Sequence, residues 1–99
     1  RKTFNKKMTV NLEIILADIE NYREAIYRDE RIISLRKEVA KSAKSKLENG
    51  TITSSEYISE LNQLKNAQIQ HEKHRIELHK AKVNYLLTAG TENLVKNND

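Results

Sequence analysis

Residues 47–57 read LENGTITSSEY, from Leu47 to Tyr57, near the midpoint of a 99-residue chain. Gly50 is the only glycine before position 90, and there is no proline anywhere. Asn49-Gly50 is a helix stop. A glycine after the cap takes positive φ without a Cβ clash, as a Schellman-type ending requires. Thr53-Ser54-Ser55-Glu56 then forms a capping box. The Thr53 hydroxyl accepts from the Glu56 N–H, and the Glu56 carboxylate returns to the Thr53 N–H. Ile52 before the cap and Tyr57 inside the helix make the matching hydrophobic staple. The spacing predicts helix over about 6–49, a turn over 50–53 and helix over about 54–89. Gly90 reads as the second stop, and the polar tail 91–99 is expected to be disordered.

Composition agrees with an all-α chain. Residues are 32% charged, 37% hydrophobic and 5% aromatic, and the turn residues that strands or βα units need at intervals are missing. The length suits one domain. A net charge of +4 invites a nucleic-acid reading, but 14 acidic residues are interspersed with 18 basic ones. The one locally basic run, Arg36 to Lys46, closes a helix, where cations suit the dipole. No nucleic-acid partner is expected. No cysteine is present, so no disulfide framework or thiol chemistry applies. No apolar run is long enough for a spanning helix, and no signal peptide is visible. Because the sequence begins at Arg1, it is expected to be a piece of a longer protein.

Upstream of the corner, steps of three and four pick out Leu12, Ile15, Ile19, Tyr22, Ile26, Asp29, Ile33, Arg36, Ala40, Ala43 and Leu47. Nine of these eleven are apolar, a heptad repeat of the coiled-coil kind. Downstream the matching series is Tyr57, Leu61, Leu64, Gln68, His71, Arg75, Leu78, Lys82 and Tyr85. A short turn makes the helices antiparallel, and setting Leu47 opposite Tyr57 brings Asp29 opposite Arg75 and Arg36 opposite Gln68. The expected fold is a long antiparallel coiled-coil hairpin with Asp29 and Arg75 as a polar, register-fixing seam pair. Each helix also carries a second apolar stripe: Ala25, Ile32, Leu35 and Val39 in the first, Ile58, Ile69, Ile76, Val83 and Leu87 in the second. A two-helix hairpin on its own has no use for that face.

His71, His74 and His79 with Glu72 and Glu77 raise the question of a metal, since ligands three apart share a helical face. His79 points elsewhere and His71 falls in the seam, so no metal and no cofactor is expected. Asp29 and Arg75 have no nucleophile or pocket beside them in the sequence pattern, so no catalytic residue is assigned and no enzyme is expected.

Two stretches, LENGTITSSEYISELNQLKNAQ (47–68) and ELHKAKVNYLLTAG (77–90), resemble the carboxy-terminal periplasmic hairpin of TolC-family outer membrane efflux proteins. Gly50, Thr53, Glu56, Ile58, Leu61, Ala67, Ala81, Tyr85 and Leu86 carry the resemblance, over roughly positions 20–90. The resemblance implies that this hairpin is part of a periplasmic α-barrel in a full-length homotrimer seated in the cell outer membrane. Asn49, Gly50, Thr51, Ile52 and Thr53 would then form the tip that docks a periplasmic adaptor (membrane fusion) protein, with an inner-membrane transporter engaged indirectly. Leu47, Glu56 and Ser59 would sit near the entrance constriction. The family's best-known member has an Arg two residues after the turn glycine and two Asp in the following turn. Here Ile52, Glu56 and Ser59 stand there, so an acidic constriction would rest on Glu56 alone.

The expected function is therefore a passive channel component for efflux or secretion. The alternative is a free-standing helical hairpin acting as a protein–protein interaction module.

Overall fold

The computed structural model describes the backbone of residues 2–97 and the side chains of residues 10–91. Two helices make up the fold, α1 (Lys2–Glu48) and α2 (Ser54–Asn97), and they pair as an all-α hairpin. Neither is interrupted by proline, and neither contains a residue with positive φ. Contacts divide the chain into a corner unit, Ala25–His74, and an end unit made of Arg1–Glu24 with Arg75–Asp99.

In the corner unit, α1 closes with a full Schellman pattern. The Thr51 N–H donates to the Lys46 carbonyl at 2.8 Å and the Gly50 N–H to the Leu47 carbonyl at 3.0 Å. Gly50 takes φ +73°, the left-handed conformation this closure demands. The Thr51 hydroxyl adds a second bond to the Lys46 carbonyl at 3.0 Å. The next helix opens on Thr53, whose Oγ1 accepts from the Glu56 N–H at 3.1 Å. Of the two bonds in a capping box, this is the one the structure shows. Ile52 and Tyr57, the staple pair, are both half-buried.

Every seam position expected on α1 is buried or half-buried, from Leu12 through Leu47. Among the described residues, the buried apolar side chains are Ile15 and Ile19 in the end unit and Ala40 and Ala43 in the corner unit. The second helix differs from expectation. Its inward positions are Tyr57, Glu60, Leu64, Ala67, His71, His74, Leu78, Ala81 and Tyr85, while Leu61, Gln68, Arg75 and Lys82 are exposed. The two series share every seventh residue and differ in between. Ala67 and Ala81 explain the choice: they bury without desolvating a charge or an amide, as Lys82 or Gln68 would.

A second correction concerns the end of α2. The helix runs through Gly90 to Asn97, where the sequence predicts a stop and a disordered tail. Gly90 lacks the positive φ of a helix ending. Glycine inside a helix costs only about 1 kcal/mol relative to alanine, and no proline follows to enforce a break. The Thr91 hydroxyl donates back to the Leu87 carbonyl at 2.9 Å, within the continuing helix. Positions 98 and 99 of the expected tail lie outside the described residues. At its other end α1 starts at Lys2, earlier than the expected position 6.

Candidate functional site

The candidate site has two parts, the corner and a polar layer in the seam, and both belong to the corner unit. At the corner, Asn49, Gly50, Thr51 and Thr53 are exposed, with Ile52 half-buried between them. The backbone bonds of the Schellman ending and the Thr53 cap hold this segment from both sides, so it is a built turn rather than a loose loop. Leu47 is half-buried on the seam side of α1. Glu56, the acidic residue in the first turn of α2, is exposed, as is Ser59. The positive end of the α2 dipole favours a carboxylate at Glu56.

The polar layer centres on Asp29, whose residue is only 8% exposed. His74 Nδ1 donates to Asp29 Oδ2 at 2.5 Å, and a carboxylate can only accept in such a bond unless it is protonated. The sequence pattern sets Asp29 opposite Arg75; the hydrogen bond seen at Asp29 is to His74, the residue before it, and Arg75 is an exposed residue of α2. The one-residue difference follows from the inward turn of Ala67 and Ala81. One turn closer to the corner, His71 Nε2 lies 3.6 Å from Glu30 Oε1, and its Nδ1 lies 3.8 Å from Glu72 Oε1. Those separations are ion-pair distances and not hydrogen bonds. His71 Nε2 is buried without a hydrogen-bond partner, and so is Glu60 Oε2 nearer the corner.

His74 and Glu60 are the seam residues that the sequence reading missed. The signal was present in the spacing of Ala67, His74 and Ala81, a heptad line with two small apolar members. Weighing burial cost at every seam position, and not the Leu61 position alone, selects that line.

Among the described residues no group of three or more His, Asp, Glu or Cys side chains is placed to hold a metal. The Asp29–His74 pair is used to join two helices. Shallow grooves flank it, one lined by Ile32, Arg36 and Ala67 and another by Ile33, Lys37 and Gln68. Among the described residues, no helix is long and apolar enough to cross a membrane.

Outside the seam, each helix carries an apolar stripe that is in water. Ile32, Leu35, Ile58, Ile69, Ile76 and Val83 are all exposed, Leu35 to 60% and Ile76 to 54%. Arg31 stacks over Tyr27 with 6.0 Å from guanidinium carbon to ring centroid, beside Leu35 on the same face of α1.

No family model, no curated protein and no solved structure matches this chain.

Proposed function

We propose that this chain is a structural hairpin that packs side by side with further helices. In detail, it is the periplasmic coiled-coil segment of a trimeric outer membrane channel of the TolC kind, presenting its corner to a periplasmic adaptor. The observation that carries the proposal is the exposed apolar stripe on each helix. Among the described residues, four apolar residues are buried, no side chain is fully buried, and thirteen large hydrophobic residues are exposed. So small a core among the described residues leaves the pairing of the two helices marginal by itself, whereas neighbours on the exposed stripes would supply further burial. Ile69, Ile76 and Val83 recur every seven residues, the period of a helix–helix contact.

On this reading the chain is not an enzyme, and it belongs to a longer protein whose other parts reside in the outer membrane. The corner suits docking because its conformation is fixed by backbone hydrogen bonds before any partner arrives. The resemblance of residues 47–68 and 77–90 to the TolC-family hairpin supports the finer assignment.

An antibody raised against this chain tests the reading on fractionated source cells. A band several times larger than 11.5 kDa in the outer membrane fraction is the expected result. A band of the chain's own mass in the non-membrane fraction would overturn it in favour of a free-standing interaction module. Replacing Ile69 and Ile76 by Glu separates the two further. Assembly of the larger protein should fail while the hairpin itself stays helical.

A further inference from the structure

The two heptad lines available to α2 share Tyr57, Leu64 and His71 and disagree at the positions between. Where the structure places Glu60, the other line has Leu61, and where it places Ala67, the other has Gln68. At the first position the observed seam takes the less favourable side chain. Glu60 Oε2 is buried without a partner, while Leu61 beside it is 38% exposed. At the second it takes the more favourable one, with Ala67 half-buried and Gln68 in water. Further along, His74 is bonded to Asp29. Preferences within one helix therefore oppose each other, which is local frustration. Neighbouring residues are ~100° apart around a helix axis, so a rotation of roughly half that angle exchanges one line for the other. Tyr57, Leu64 and His71 remain inward throughout.

We propose that α2 in the corner unit is a two-position element. The Asp29–His74 hydrogen bond and the Ala67 contact hold it in the observed setting; Glu60 and Leu61 bias it toward the rotated one. In the observed setting the side chain at 67 faces the groove that Arg36 also lines, whereas Gln68 lines the groove on the opposite flank. Rotation brings position 68 toward Arg36 and releases the Glu60 carboxylate to water. The exchange is a property of the hairpin itself, whatever it assembles with.

Because the chain has no cysteine, engineered pairs report the setting directly. Arg36→Cys with Ala67→Cys traps the observed line, and Arg36→Cys with Gln68→Cys traps the rotated one. Neither pair replaces Asp29, His74, Glu60 or Leu61; because the first pair replaces Ala67 itself, the decisive reading is the change in the ratio between backgrounds. In the otherwise unchanged chain the 36–67 disulfide forms faster. With His74→Ala added, the ratio shifts toward 36–68 by about tenfold or more, the equivalent of one hydrogen bond to a charged group. With Glu60→Leu added instead, the bias is removed and the ratio shifts further toward 36–67. An unchanged ratio in a His74→Ala chain that keeps its helicity would overturn the proposal, since a simple structural bond does not turn a helix. Should His74→Ala lose its helicity, Glu60→Leu decides alone, and an unchanged ratio there overturns it equally.

Discussion

His74 Nδ1 and Asp29 Oδ2, 45 residues apart in sequence, meet at 2.5 Å and join α1 to α2 inside the corner unit. Removing His74 leaves a buried carboxylate without its donor, whereas replacing both residues by leucine leaves nothing polar to satisfy. His74→Ala is expected to cost about 1–3 kcal/mol. The double change Asp29→Leu with His74→Leu is expected to be neutral or stabilising. Glu24→Ala, at an exposed position, should change stability by no more than about 0.5 kcal/mol. Urea unfolding of the three variants checks the order. Equal midpoints for His74→Ala and Glu24→Ala would remove the pair from the account of stability.

The pairing of two helices and the place of the corner were legible because they rest on local chemistry. Asn49-Gly50 and Thr53-x-x-Glu56 satisfy helix-end backbone groups by themselves, and the α1 series is apolar enough to admit one reading. The second seam was not legible in the same way. Leu61 marks one heptad line and Ala67 with Ala81 marks another, and only the partner helix arbitrates between them. Gly90 misled for a related reason: glycine permits a stop but does not compel one. The exposed apolar stripes could be read from period alone.

At the corner, Gly50 has φ +73° and open space around an added Cβ. No neighbour would be displaced, so any penalty is a backbone one. A left-handed residue with a Cβ costs roughly 1–2 kcal/mol, less for asparagine. Thermal unfolding should rank the variants Gly50 above Gly50→Asn above Gly50→Ala. If Gly50→Ala unfolds at the parent temperature, the Schellman ending is not what holds the turn.

The start of α2 offers an independent test, because the Thr53 bond to the Glu56 N–H is made by the side chain alone. Thr53→Ala removes the acceptor and should cost about 1 kcal/mol, while Thr53→Ser keeps it and should cost little. Hydrogen exchange at the Glu56 amide gives the local readout. Protection should fall in the alanine variant and persist in the serine one.

Gly90 gives a prediction whose sign separates two conformations. If this glycine ended the helix in the left-handed region, alanine there would be strained and Gly90→Ala would destabilise by about 1–2 kcal/mol. In the structure α2 passes through it to Asn97, its φ is not positive, and nothing lies within 4 Å of an added Cβ. Alanine then removes the conformational cost of a glycine in a helix interior without any clash. Gly90→Ala should stabilise the chain by about 0.5–1 kcal/mol and raise its helical circular dichroism signal. A loss of helicity in that variant would restore Gly90 as a stop and end α2 near position 89. The same variant leaves the corner unit untouched, so the Gly50 and Thr53 effects should add to it unchanged.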